Sequence, residues 1–424
     1  MALAPNASAE PAGEGVHAPD LQLFVFALFF IFGGITSLND VIIPKLKELF
    51  TLNNFEASLV QVWFFIAYAV VGIPGAKLLK RIGYMRGAAA GLVTMIAGCL
   101  LFIPASQTAT FSVFLFAYFV LASGVVLVQV VSNPLISLLG PPRTAPSRLT
   151  FAQAFNSLGT TIFPYFGAIL ILGSLAQVSA AQLSGAKLDA YRTAETQAIV
   201  TGYLGIAAAL AAVALAVWLF RNRVQGERHE DTSLSEGLAL LKRPRFGFGA
   251  LCIFLYVGAE VAVGSFLVGN LTLPESLGAS PQDAGKLIPI YWGLAMLGRF
   301  AGSAVLRVVS PAAVLAFNAI GAAVLISLSM ATTGTVSGYA LLGVGLMNSI
   351  MFPVIFTLAS EGLGSRAADG SGIINVAIVG GAVVPALYGF MADQSGLRAA
   401  LILPIACYAV IAAFGIYARR PVAG

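Results

Sequence analysis

The sequence predicts an all-α membrane protein of the polytopic kind, on three observations. Of its 424 residues 58% are hydrophobic and 10% charged, whereas a soluble domain carries about 25% charged residues. The apolar residues gather into about twelve runs near the length that crosses a bilayer as a helix, where barrel strands would alternate in shorter segments. Finally, the charges sort by side. With both termini placed inside, only Lys45, Lys47, Lys187, Arg192, Lys286 and Arg398 of the 23 Lys and Arg fall outside, as the positive-inside rule requires of an even number of spans.

Residues 1–20 hold Glu10, Glu14 and Asp20 but no Lys or Arg, so they read as a disordered tail and not as a signal peptide. The first apolar stretch, Leu21 to Phe50, is followed by Ala57 to Leu79, Tyr84 to Pro104, Phe111 to Leu139, Leu149 to Gly173 and Ile199 to Phe220. Residues 21–220 thus form a first six-helix half. The stretch 221–245 mixes Arg221, Arg223, Arg228, Lys242, Arg243 and Arg245 with Glu227, Glu230, Asp231 and Glu236, and reads as a cytoplasmic linker. A second six-helix half, 246–420, contains Phe246 to Leu271, Ala284 to Val305, Pro311 to Ala331, Val336 to Ser360, Gly370 to Met391 and Ala399 to Tyr417. Two halves around a midplane site are the plan of many secondary transporters. The polar segment Ser174 to Gln197 reads as an outer loop.

Cys99, Cys252 and Cys407 all lie in apolar runs, which excludes a disulfide framework or a cysteine metal cluster as the organising feature. No phosphate-binding loop or nucleophile constellation is present, so the chain does not read as an enzyme, and no nucleic-acid partner is expected. Gly298 and Gly302 on the eighth helix, and Gly380 and Gly381 on the eleventh, allow close helix packing, while Pro134, Pro164, Pro353 and Pro385 bend their helices.

Polar groups inside apolar runs are the informative residues, because each needs a partner or water. Asp40 stands at the far end of the first helix after Asn39, with Gly33 and Gly34 two turns earlier. Two placements are open to it, a wet cavity or the headgroup boundary; Val41, Ile42 and Ile43 extend the apolar run beyond it and favour the first. Glu260 lies near the middle of the seventh run, where it either serves transport or forms an internal ion pair with Lys286 or Arg299. Amides recur on shared faces: Gln129 and Asn133 on the fourth helix, Gln153 and Asn156 on the fifth, with Gln61, Asn348 and Asn375 on the second, tenth and eleventh. Amides both donate and accept, which suits a polyhydroxylated ligand. Trp63, Phe155, Tyr256, Trp292 and Phe352 could stack on the apolar faces of a sugar ring. The alternative is that the amides join helices and the rings fill core. Both histidines, His17 and His229, fall in the tail and the linker, so carboxylates must serve any proton coupling within the helices.

An ordered set of short motifs resembles the fucose permease branch of the major facilitator superfamily. These are L-N-D at Leu38–Asp40, S-N-P at Ser132–Pro134, L-L-G-P at Leu138–Pro141, F-A-Q-A-F-N-S at Phe151–Ser157, Y-V-G-A-E at Tyr256–Glu260, G-R-F-A-G at Gly298–Gly302 and F-P-V-I-F-T-L-A at Phe352–Ala359. The resemblance implies a twelve-helix symporter of monosaccharides in the inner membrane, acting as a monomer, with Asp40 matching the family's acid on the first helix. It implies no cofactor, only co-transported H⁺ or Na⁺. Gln129 replaces the second essential acid of the fucose permease, and Glu260 stands where that protein has an amide, a combination similar to the glucose, galactose and N-acetylglucosamine permeases of the branch. In the loop after the second helix, Lys80 occupies a position where an Asp is usual. The expected sites are Asp40 and Glu260 for the cation, and Asn39, Gln61, Gln129, Asn133, Gln153, Asn156, Glu260, Trp292, Asn348, Phe352 and Asn375 for the sugar. Sodium coupling, passive facilitation and drug/proton antiport are the alternative readings; Pro164 without an adjoining glycine speaks against the last.

Overall fold

The computed structural model describes residues 19–38, 46, 49–52, 54–108, 110–167, 184–221 and 237–420. Among these there is no strand. The first half contains α1 (Pro19–Ser37), α2 (Asn54–Ile82), α3 (Tyr84–Thr108), α4 (Phe111–Leu138), α5 (Ala145–Gly167) and α6 (Ala186–Leu219). The second contains α7 (Pro244–Ser265), α8 (Pro281–Val305), α9 (Pro311–Ala331), α10 in two pieces (Gly334–Asn348 and Met351–Ser360), α11 in two pieces (Ala367–Ala377 and Gly380–Ser395) and α12 (Ile402–Tyr417). Nine of the spans among the described residues are long and apolar enough to cross a membrane. The other three are α1, of which Leu21–Ser37 is apolar, and α5 and α8, whose hydropathy is diluted by residues such as Gln153, Asn156 and Arg299.

Turn chemistry fixes the reversals. Gly83 takes φ +81° between α2 and α3, a left-handed conformation that costs glycine little, and so turns the chain in one residue. Arg148 wraps the end of α4, donating to Ile136 O, Ser137 O, Gly140 O and Pro141 O, carbonyls for which the helix supplies no donor. Proline occupies the first turn of α7, α8 and α9, where its missing N–H is not needed.

Within the first half α5 packs on α1 so closely that a Cβ on Gly159 would clash with Phe30 O. In the second half α7 lies against α10, α11 and α12. The halves meet along two seams, α2 on α11 and α5 on α8. At the first seam backbones touch: a Cβ on Gly72 would lie 2.8 Å from Gly372 O. Ser371 Oγ donates to Val130 O at 2.9 Å, an acceptor left free because Pro134, four residues on, has no N–H. At the second seam Ser147 Oγ donates to Ser303 O at 2.6 Å, and Phe151 and Phe155 set their edges against Phe300. All these contacts lie between mid-depth and the face where the basic helix ends cluster.

Lys80 also belongs to the first seam. Its Nζ is 2.7 Å from Asp369 Oδ1 in α11, with side chains only 4% and 9% exposed, and Arg366 adds a second cation 3.9 Å from the other carboxylate oxygen. The acid that the loop lacks at position 80 is thus supplied by the opposite half.

One expectation is corrected, and the structure adds detail at the end of the linker. α6 begins at Ala186, so the segment read as an outer loop up to Gln197 is partly helical. It is anchored there by buried Glu195 and Thr196, the latter accepting from Ser106 Oγ at 2.9 Å. The end of the linker is ordered: Ala239–Lys242 form a short helix whose Leu240 is fully buried. Arg245 joins the first turn of α7, donating to Leu358 O at 2.9 Å. The tail 1–18 and residues 222–236 lie outside the described residues.

Removing one member of a buried ion pair leaves the other charge uncompensated, a loss of about 3–5 kcal/mol. Lys80→Met and Asp369→Asn should each lower the thermal stability of the purified protein, and the double variant should lose less than the two together, by a coupling of about 0.5–3 kcal/mol. Strictly additive losses would show that the pair does not hold the seam.

Candidate functional site

Of the two acids, Glu260 is placed and Asp40 is not: Asn39 and Asp40 lie outside the described residues. Glu260 sits in the unbroken part of α7, its side chain 14% exposed, with Oε1 3.7 Å from Arg299 Nη2 on α8. That separation gives charge attraction without a hydrogen bond. Oε1 has no hydrogen-bond partner among the described residues. Arg299 is therefore the cation of the ion-pair reading, and Lys286 is not. Lys286 lies at the outer end of α8, 2.7 Å from Asp283, where its hydrogen bond, followed by that of Ser280, holds the Asp283 carboxyl below the usual carboxylate range.

Arg299 is held in place by the break in α10. Pro353 has no N–H to offer Ser349 O, and Arg299 Nε donates to that carbonyl at 3.1 Å. Its Nη1 donates to Ser157 Oγ of α5, in the other half. Ser157 Oγ in turn donates to Gln153 O at 3.2 Å. A continuous polar chain thus runs from Glu260 through Arg299 and Ser157 to the backbone carbonyl of Gln153, across the seam.

Asn348 anchors the same break. Its Nδ2 donates to Tyr291 OH at 2.9 Å, its Oδ1 accepts from Tyr408 OH at 2.7 Å, and its carbonyl accepts from Tyr256 OH at 3.0 Å. Both amide atoms are committed to protein, so Asn348 orders a tyrosine cluster beside Glu260 and is not free to meet a ligand in this conformation. Trp292 follows Tyr291, edge-on to it at 5.1 Å, and lies over Gly264 with 42% of its surface exposed. Phe352 is buried just past the break and stacks on Phe356 at 6.4 Å. Asn375 is fully buried, donating to Ser371 O one turn back at 2.9 Å, while its Oδ1 has no partner among the described residues.

In the first half Gln61 is half-buried on the α2 stripe that continues through Phe65, Gly72 and Ala76 at helical spacing. Phe65, Gly72 and Ala76 all touch α11, so Gln61 points toward the interface between halves. Gln129 Nε2 donates to Tyr68 OH at 3.0 Å. Gln153 is buried, and Asn156 makes only a long 3.4 Å contact to Phe29 O. Asn133 is buried with neither amide atom partnered among the described residues.

Sequence reasoning passed over Ser157, Tyr68, Tyr291 and Tyr408, and considered Arg299 only as an ion-pair partner. One signal was available: Pro353 four residues after Ser349 announces a freed carbonyl that needs a donor.

The Major Facilitator Superfamily profile matches residues 25–381. The chain belongs to the major facilitator superfamily. It is 47% identical over 394 residues to the glucose/galactose transporter of Brucella abortus, covering 93% of this chain and 92% of that protein. It is 33% identical over 397 residues to the L-fucose-proton symporter of Escherichia coli, covering 92% and 90%. The crystal structure of FucP in the outward conformation superposes with a TM-score of 0.87 at 30% identity, covering 95% of this chain and 99% of that one. Together these place the chain in the fucose permease branch with a twelve-helix fold.

Asn348→Ala would orphan two buried phenol hydroxyls, each costing about 1–3 kcal/mol when unmet. The variant should melt clearly below the parent in thermal unfolding, and added sugar should not restore it. An unchanged melting temperature would show that the tyrosine cluster does not depend on Asn348.

Proposed function

We propose that this protein imports a monosaccharide of the glucose, galactose or N-acetylglucosamine type by alternating access between its halves, coupled to protons. It works as a monomer in the inner membrane with both termini cytoplasmic. The observation that carries this reading is the polar chain Ser157–Arg299–Glu260, which joins α5, one turn from the Gln153 amide, to an acid of the other half, as in transporters of this plan that hold substrate between their halves. The names of the relatives support the sugar class. Gln129, bonded to Tyr68, stands where the fucose permease has an acid, which favours an aldohexose over fucose.

Sugar enters from the face opposite the basic one, since the seams at the basic face are made. Gln61, Gln153 and Asn156 supply hydrogen bonds, Trp292 offers a ring face, and Gln129 orients through Tyr68. Asn348 acts at one remove, by fixing the tyrosines. Asp40 takes the coupling proton, and Glu260 either accepts from the sugar's hydroxyls or completes the ion site. Of the alternative ions sodium is the one with a structural argument, because the unmet Oε1 of Glu260 is also a cation ligand.

Uptake of labelled glucose, galactose and fucose into proteoliposomes, with imposed proton or sodium gradients, tests the reading. Gln153→Ala and Asn156→Ala should each weaken apparent sugar affinity by roughly ten- to a hundredfold, the loss of one buried hydrogen bond. Asp40→Asn should abolish accumulation while sugar exchange continues. Unchanged affinity in both amide variants, or gradient-driven accumulation by Asp40→Asn like the parent's, would sink the corresponding assignment.

A further inference from the structure

Asn133 of α4 and Thr150 of α5 are 1% and 0% exposed, and neither amide atom of Asn133 nor the hydroxyl of Thr150 has a partner among the described residues. Thr150 is the more unusual of the two. A threonine inside a helix can return its hydroxyl to a carbonyl one turn back, as Thr36, Thr94, Thr161 and Thr196 do. Thr150 makes no such bond among the described residues. Its methyl group reaches toward the other half, 4.0 Å from where a Cβ on Gly302 of α8 would stand.

The two residues share a depth. Arg148, two residues before Thr150, donates to Ile136 O and Ser137 O, three and four residues after Asn133. Because α4 runs toward the basic face and α5 away from it, those bonds hold Asn133 and Thr150 level to within about one turn. Thr150 precedes Gln153 by three residues, so it neighbours Gln153 on the helix surface and lies about 4.5 Å closer to the basic face. Asn133 follows Gln129 by four residues and stands in the same relation to it. Both groups are thus one turn beyond the amides assigned to sugar, on the side where sugar must leave. Both are shut in here, since Asn133 is three residues from Val130 and Thr150 three from Ser147, the positions through which Ser371 and Ser303 close the two seams.

We propose that Asn133 and Thr150 form a second site for sugar hydroxyls, hidden in this conformation, that receives the monosaccharide when the halves part at the basic face. The inference rests on the transporter reading and adds to it the place that sugar occupies on its way out. An amide and a hydroxyl each donate and accept and neither carries charge, which fits a polyol better than an ion. Sugar moves one turn along α5, exchanging the Gln153 amide for the Thr150 hydroxyl while Asn133 takes over on the α4 side.

The test uses the full-length protein in membrane vesicles inverted to present the basic face, with the buried Cys99, Cys252 and Cys407 replaced by alanine. Asn133→Cys and Thr150→Cys are each treated with a charged, membrane-impermeant thiol reagent, beside Ser303→Cys, a seam position outside the proposed site. Both site cysteines should react from the basic face, and saturating glucose should slow them about tenfold while changing the rate at Ser303→Cys by less than about twofold. Equal slowing at all three would show that glucose only shifts the halves, and no slowing at the two site cysteines would show that these groups meet water alone. Either result overturns the proposal, as does a failure of both to react from that face. Thr150→Val keeps the side chain's shape without its hydroxyl. It should raise the half-saturating glucose concentration for exchange at the basic face about tenfold, the loss of one hydrogen bond, and Thr150→Ser should restore the parent value. An unchanged value in Thr150→Val overturns the site. Equilibrium binding of labelled glucose separates the two readings. Binding that Gln153→Ala weakens, with no protection at Thr150→Cys, removes this site and leaves the transporter reading, whereas absence of glucose and galactose binding in the parent removes both.

Discussion

A peptide carbonyl released from its helix inside hydrocarbon finds no water, so some other part of the protein must supply a donor. Much of the described interface follows from that constraint. Pro134 releases Val130 O, and Ser371 of the opposite half meets it; Pro353 releases Ser349 O, and Arg299 meets it. The prolines thus do more than bend α4 and α10. They set acceptors at fixed depth, and the donors that answer them fix where one half touches the other and where a cation stands beside Glu260. The tyrosine cluster obeys the same logic, since Tyr256 satisfies the carbonyl of Asn348 at the α10 break while the Asn348 side chain satisfies Tyr291 and Tyr408.

The architecture was legible in the sequence because it rests on run length and on the sorting of Lys and Arg, both local signals. The acid at Glu260 was legible for the same reason: a charge amid apolar residues stands out at any register. What escaped were relations between distant segments. The breaks in α10 and α11 fall at Ser349–Ile350 and Ile378–Val379, inside apolar runs of spanning length, so each read as one span bent at Pro353 or Pro385 and not as two pieces. The partner of Lys80 lies in α11, and nothing near position 80 announces Asp369. The early start of α6 was hidden because the polar residues that suggested a loop, Glu195 and Thr196, are buried against the end of α3.

The amides show the limit most clearly. As a set on both halves they pointed to a polar interior, and the structure gives them distinct duties. Asn348 is consumed by tyrosines, Asn375 bonds back into its own helix, and Gln129 is bonded to Tyr68. Gln153 and Asn156 are lightly engaged by protein, and Asn133 is buried with neither amide atom partnered among the described residues. Residue type and helical spacing identify groups that require partners; which groups already have one depends on neighbours brought in by tertiary structure.

The contact of Gly72 with Gly372 has a kinetic side. Two backbones meet there with no side chain between them, so parting and rejoining the halves at that point orders no rotamers. The same atoms can meet at every closure without a search among conformers. In the proposed alternation of the halves, motion at this seam is then a rigid-body rotation that re-forms the same contact, and a larger residue at either glycine would act as a wedge between them.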